Sequence, residues 1–259
     1  MKITKAVILA GGLGTRMAPA SRYIAKEMLP VVDRPVMDFL VEDLINSGIT
    51  EILIVSKKEK TCIQNFFTSE RVKVTFVFQD LPLGVVDALL LAENFVQNQP
   101  FILLYGDVLF SAKPSSVSQM LSVFGKNYCS VVATRKVFDE KISLYGVIGF
   151  QEIKNTKFVT SIIEKPTPKQ APSNMVLAGQ YILMPEIFSY LKKVGSKGLF
   201  TDCLLSLSKE SGVAICEIKG NCFDVGSKIG YVMATVHCAS KHPQIKKEFK
   251  NFFADFNYK

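Results

Sequence analysis

Short apolar runs alternate along the whole chain with longer stretches in which apolar residues recur at helical spacing. The runs at residues 5–9, 51–55, 72–78, 101–105, 128–134, 146–150, 159–164, 177–183 and 213–218 predict strands. The periodic stretches at 36–47, 84–95, 115–124, 185–192, 200–209 and 228–239 predict helices. Pro35 just before the first of these and Gly48 just after it suit a helix start and stop. This alternation predicts a Rossmann-like, doubly wound α/β fold with a mixed, mostly parallel central sheet, parallel above all in its first half. Ligands of such sheets sit beyond the carboxyl ends of the strands. The turn after residues 5–9 and Gly106-Asp107 after residues 101–105 then open on one mouth.

With 259 residues, 48% of them hydrophobic, the chain suits one large domain over residues 1–259. Residues 165–173, with three prolines, read as a loop and not as a domain boundary. No apolar run is long enough to span a membrane. Met1-Lys2 leads straight into a strand without a signal-peptide pattern, which favours a cytoplasmic protein. Cys62, Cys129, Cys203, Cys216, Cys222 and Cys238 form no C-x-x-C pair and no grouping with His237 or His242. Reduced thiols are the favoured reading, and structural zinc is not.

The net charge of +8, from 31 basic and 23 acidic residues, suits either a solvated basic surface or attraction of a polyanionic substrate. Part of the excess lies in a tail at about 241–256 and beyond, at Lys241, Lys246, Lys247, Lys250 and Lys259. There Ile245, Phe249, Phe252, Phe253 and Phe256 recur at helical spacing, which predicts an amphipathic helix docked on the body or on another subunit. No nucleic-acid-binding motif accompanies the charge.

The most specific chemistry lies in Leu9-Ala10-Gly11-Gly12-Leu13-Gly14-Thr15-Arg16, followed by Lys26-Glu27-Met28-Leu29-Pro30. Three glycines within four positions let successive backbone N–H groups converge on an anion. Arg16 and Lys26 add fixed positive charge, so a nucleotide phosphate is the expected guest. A P-loop requires Lys-Ser/Thr directly after its last glycine, and a dinucleotide fingerprint requires a helix opening at the third. Thr15-Arg16 and Ala18-Pro19-Ala20-Ser21 disfavour both.

This pair of motifs resembles the signature of the sugar-1-phosphate nucleotidyltransferases. Further matches follow in family order: Tyr145-Gly146-Val147-Ile148, Ile163-Glu164-Lys165-Pro166, Ala171-Pro172-Ser173-Asn174 with Gly179-Gln180-Tyr181, and Asp224-Val225-Gly226-Ser227-Lys228-Ile229-Gly230-Tyr231. The resemblance runs through nearly the whole chain and points to the branch that transfers uridylyl from UTP to glucose 1-phosphate. It implies that the backbone of Ala10, Gly11, Gly12 and Gly14 holds the nucleotide, with Arg16 and Lys26 on the triphosphate. It implies base contacts from Gln79 and Gly84, and a sugar-phosphate site made by Gly146, Glu164, Lys165 and Gly179. Asp107 and Asp224 are the candidate Mg²⁺ ligands, since that ion prefers hard oxygens in few, fixed positions. A homo-oligomer is also implied, with no nucleic-acid or membrane partner.

Three departures matter. Residues 66–71 lead almost directly into the strand ending at Gln79, a shortness similar to thymidylyltransferases, and uracil differs from thymine by one methyl only. Gly84-Val85-Val86-Asp87 stands where the family has Gly-Leu-Gly-His, so Val86 is expected to crowd the nucleotide. Aligned on Thr201-Asp202, the family's sugar-binding glutamate falls at Lys197, a donor in place of an acceptor. Thymidylyl transfer, another sugar 1-phosphate, or a nucleotide-binding homologue with impaired turnover are therefore the alternatives.

Overall fold

The computed structural model describes residues 2–67 and 72–254. Its first strands are β1 (Lys5–Leu9), β2 (Pro30–Val31), β3 (Arg34–Pro35), β4 (Glu51–Ser56), β5 (Lys73–Phe78), β6 (Phe101–Tyr105) and β7 (Val108–Ser111). There follow β8 (Ser130–Lys136), β9 (Gly146–Ile153), β10 (Thr156–Glu164), β11 (Met175–Leu183), β12 (Val213–Glu217) and β13 (Asn221–Asp224). The helices are α1 (Val36–Asn46), α2 (Thr61–Phe66), α3 (Val85–Leu90), α4 (Glu93–Val96) and α5 (Ser116–Asn127). α6 (Ile187–Val194), α7 (Phe200–Ser211), α8 (Lys228–Ala239) and α9 (Lys246–Ala254) complete them.

Nine strands pair into one sheet in the order β5-β4-β1-β6-β11-β8-β12-β10-β9. β5, β4, β1 and β6 are parallel, as the sequence predicts for the first half. β11 runs against β6 and β8, β12 is parallel to β8, and β10 opposes both β12 and β9. β10 and β11 thus oppose the rest of a mixed sheet, and the carboxyl ends of β1, β6 and β8 share one edge.

Helices cover both faces of the sheet. Val7 of β1 belongs to the core with Leu89, Leu191 and Leu204 from α3, α6 and α7. Its neighbours Ala6 and Ile8 belong to the other core, with Met37, Leu44 and Phe124 from α1 and α5. A strand buried on both faces carries apolar residues on both, which is why the sequence shows a continuous run.

Elsewhere the elements differ from the sequence pattern for local reasons. The helix predicted over 84–95 divides into α3 and α4 at Leu91-Ala92, where Ala92 N–H donates to Leu89 O at 2.9 Å. β8 starts beyond Tyr128, because that residue turns left-handed (φ 50°) and closes α5 with a 2.7 Å bond to Phe124 O. β9 and β10 meet in a two-residue hairpin at Lys154 and Asn155, both at positive φ. The short strands β7 and β13, which pair with each other, have no counterpart among the predicted elements.

The tail does form a helix, α9, and none of its described residues is fully buried. Phe249 and Phe253 lie ring to ring at 5.5 Å. Phe256, Lys259 and the passage at 68–71 lie outside the described residues. Among the described residues no helix is long and apolar enough to cross a membrane.

Candidate active site

The site begins where β1 ends. Gly106 N–H donates to Leu9 O at 2.9 Å, which ties the turn after β1 to the turn after β6. The glycines of the first turn make room for side chains arriving from elsewhere. A Cβ at Gly11 would stand 2.8 Å from Gln79 Oε1, and one at Gly12 3.4 Å from Lys26 Nζ.

Two ion pairs cross from the glycine-turn segment to the aspartates. Arg16 Nη1 donates to Asp224 Oδ2 at 2.8 Å, and Lys26 Nζ donates to Asp107 Oδ2. Partial burial works against the Arg16 charge, but the hydrogen bond and charge of Asp224, with the charge of Asp107, outweigh it and raise its pKa. The β7–β13 ribbon brings the two aspartates together: Asp224 sits opposite Val108, and Val225 N–H donates to Asp107 O at 2.9 Å. Gly226 N–H fixes Asp224 Oδ1 at 3.1 Å. A Cβ at Gly226 would collide with Asp107 Oδ2 and stand 3.1 Å from both Arg16 Nη2 and Asp224 Oδ1. Arg16 and both carboxylates therefore converge on one point.

From that point a cleft of about 480 Å³ extends along the sheet edge. Arg16, Asp107 and Asp224 line one end, Gly84 and Val85 one side, and Gly146, Glu164, Gly179 and Lys197 the remainder. Glu164 Oε2 lies 3.2 Å from the Cβ position of Gly146. Gly179 is left-handed (φ 70°), and a Cβ there would meet Val108 and the Tyr105 ring at 3.0 and 3.2 Å. Tyr105 and Tyr181 also line the cleft, with ring centres 5.7 Å apart. Burial pushes both phenols up, so they present neutral hydroxyls.

The structure sorts the sequence candidates. Arg16, Gly84, Asp107, Gly146, Glu164, Gly179 and Asp224 meet at the cleft. The turn at Ala10, Gly11, Gly12 and Gly14 joins it through Lys26, which bonds Asp107. Gln79 is buried and does not line the cleft; its Nε2 donates to Asp87 Oδ2 at 2.8 Å and to Gly84 O at 3.2 Å. Lys165 is exposed and also lies outside the lining. Val86 does not crowd the cleft, because it turns into the core at 1% exposure while Val85 faces the cleft. Gly84 holds φ 115° with open space around it, so backbone conformation alone calls for glycine.

Sequence reasoning missed Lys60 and Arg135, gave Glu27 no separate role, and read Asp87 only as a departure from the family pattern. Lys60 bonds both Ala10 O and Glu27 beneath the turn, and Arg135 lines the cleft wall. The two missed residues carry no local motif; only the folded sheet brings them to the site.

The aspartate pair fits Mg²⁺. Two carboxylates converge where a glycine leaves space, and among the described residues no group of three or more His, Cys, Asp or Glu gathers as a metal-binding cluster. Mg²⁺ is commonly held by one or two carboxylates, with water and substrate phosphate completing its shell.

Cationic residues on a β1 turn, facing paired aspartates at the mouth of a mixed α/β sheet, define a site for transfer between phosphates. Residues 5–241 match the family model described as nucleotidyl transferase, and the chain belongs to that family. It is 38% identical to a UTP–glucose-1-phosphate uridylyltransferase of Streptococcus pyogenes, over 97% of this chain and 93% of that protein. A UTP-bound UGPase from Acinetobacter baumannii superposes with a TM-score of 0.91 at 30% identity, covering 99% of this chain and 100% of that one. A UDP-glucose pyrophosphorylase complexed with UDP-glucose gives 0.88 at 31% identity, covering 93% and 100%.

Proposed function

We propose that this protein transfers the uridylyl group of UTP to glucose 1-phosphate, giving UDP-glucose and pyrophosphate, with Mg²⁺ as its metal. The observation that carries this is the convergence of Arg16, Asp107 and Asp224 at one end of a cleft whose other part holds Glu164 and Gly179. The names of the similar proteins support uridine over thymidine and glucose over other sugars.

A phosphate oxygen of glucose 1-phosphate attacks the α-phosphorus of UTP in line. The new P–O bond forms as the bond to the bridging oxygen of pyrophosphate breaks, and that electron pair leaves with pyrophosphate. The nucleophile is already an anion, so no general base is needed. Catalysis then lies in positioning and in neutralising charge. Arg16 and Lys26 meet the triphosphate and spread its developing charge. Asp107 and Asp224 would hold Mg²⁺, which supplies Lewis-acid stabilisation of the phosphate oxygens when bound.

The backbone at Ala10, Gly11, Gly12 and Gly14 holds the nucleotide, with Gln79 and Gly84 on the base side. Gly146 and Gly179 leave room for the sugar, and Glu164 accepts from its hydroxyls. Lys165 adds positive charge for the sugar's phosphate. The family match and the continuous sheet support one catalytic domain. Six free cysteines support a reducing, cytoplasmic setting, and the exposed Phe253 of α9 supports a homo-oligomer.

Pyrophosphate release tests the proposal. The purified protein is mixed with Mg²⁺, UTP or dTTP, and a panel of sugar 1-phosphates. UTP with glucose 1-phosphate is expected to be the fastest pair; no release with any pair overturns the assignment.

A further inference from the structure

Arg16 and Lys26 are committed to carboxylates, yet two other cations on the cleft wall, Arg135 and Lys197, have no ion-pair partner among the described residues. They differ in how they are held. Lys197 is exposed between Gly195 and Gly198. Arg135 is half-buried at the carboxyl end of β8, its guanidinium carbon 4.8 Å from the centre of the Tyr145 ring. Its charge and a hydrogen bond also reach the Cys222 thiol, two residues before Asp224. The guanidinium is thus held between the Tyr145 ring, next in the chain to Gly146, and the Cys222 thiol.

The electrostatics of the cleft leave a clear vacancy for this charge. Asp107, Asp224 and Glu164 all face it, and an acceptor phosphate adds further negative charge beside them. Bringing that phosphate in requires a nearby cation not already held by a carboxylate. A guanidinium braced on an aromatic ring keeps its N–H fork available for two phosphate oxygens, with little side-chain freedom left to lose.

We propose that Arg135 binds the phosphate of the sugar 1-phosphate and positions its oxygen for attack, a role that rests on the nucleotidyl-transfer reading above. The assignment adds a substrate-binding residue that no sequence motif announces. Both cations would then serve the sugar's phosphate, Arg135 from the cleft lining and Lys165 from outside it.

Steady-state kinetics of wild type, Arg135→Met and Arg135→Lys test it. Arg135→Met is expected to raise KM for glucose 1-phosphate about 10- to 100-fold, the loss of a charge-assisted contact, with KM for UTP unchanged. Arg135→Lys keeps the charge without the fork and should recover part of that loss. Calorimetric titration supplies a readout independent of turnover: Arg135→Met should weaken UDP-glucose binding by a similar factor and leave UMP binding unmoved. An active wild type with unchanged glucose 1-phosphate KM in Arg135→Met overturns the assignment alone. Equal losses for UTP and glucose 1-phosphate, with a lowered Tm, also overturn it and reduce Arg135 to a brace for Tyr145. A wild type that neither turns over nor binds UDP-glucose overturns the functional reading and this assignment together.

Discussion

Lys60 donates from one ammonium group to Glu27 Oε2 at 2.9 Å and to the Ala10 carbonyl at 2.6 Å, fastening the glycine turn to the segment that carries Lys26. Glu27 is fully buried, and its Oε1 has no hydrogen-bond partner among the described residues. Burial raises its pKa above the ordinary carboxylate value, while the charges of Lys60 and Lys26 pull it back. The glycine turn thus rests on a buried ion pair.

Lys60→Met should therefore strand a buried carboxylate and destabilise the protein by about 3–5 kcal/mol. With about 2–4 °C per kcal/mol, Tm falls by roughly 6–20 °C. The pH dependence follows from the direction of the shift. A carboxyl whose folded pKa is raised contributes its full stability below the unfolded pKa and loses it as pH rises through the folded value. Without Lys60 the rise is larger, so the Tm deficit of the variant grows from pH 5 to pH 8. Thermal melts at the two values check this; an equal deficit at both would remove Glu27 ionisation from the account.

Arg16→Ala should lower turnover by about 10²–10³-fold, the scale of losing one preorganised charge aimed at the transition state. Folding should barely change, because Arg16 is 61% exposed and a surface pair contributes about 0–1 kcal/mol. Near-normal turnover at saturating UTP would take Arg16 out of the mechanism.

Asp107→Asn and Asp224→Asn should each move the Mg²⁺ midpoint of activity to higher concentration, with nucleotide binding in the absence of metal little affected. Titrating Mg²⁺ against initial rate is the measurement. Unchanged midpoints in both variants would leave the aspartates only their ion pairs with Lys26 and Arg16.

Lys197 shares the cleft wall with Glu164 and Gly179. Lys197→Glu supplies two acceptors to the sugar hydroxyls and should lower KM for glucose 1-phosphate about ten-fold or more, the scale of one charge-assisted hydrogen bond. KM for UTP serves as the internal control. Indistinguishable kinetics across every sugar 1-phosphate accepted would mean that the lysine faces solvent during catalysis.

Gly84→Ala isolates a backbone effect, since nothing lies within 4 Å of the added methyl. Holding alanine at φ 115° should destabilise the protein by about 1–3 kcal/mol. Denaturant titration reads the loss, and an unchanged midpoint would show that the turn relaxes freely.

The parts of the site that sequence disclosed are those built locally. A β1 run followed by glycines and Arg16 is one continuous signal, and Gly106-Asp107 simply ends the next parallel strand. The parts it withheld depend on partners far away in the chain. β7 and β13 are four residues each, too short to show a period, and acquire meaning only by pairing with one another. Glu27 sits inside a motif that draws attention to Lys26, while its own partner lies 33 positions on. Asp87 looked like a departure at the base side; in the fold it orients the Gln79 amide. Val86 misled for a plainer reason: adjacent helical residues point in different directions, and Val85 is the one that meets the cleft.

The Arg16–Asp224 pair joins residues 208 positions apart, and that distance has a meaning for the newborn chain. At about 5–20 residues per second, the ribosome takes roughly 10–40 s to travel from one to the other. Throughout that interval the emerging polypeptide displays a cationic turn without its second carboxylate. Any product truncated before β13 has the cationic turn but lacks the second of the two aspartates proposed to hold the metal. Competence arrives late in synthesis, when the strand ending at Asp224 closes against β7.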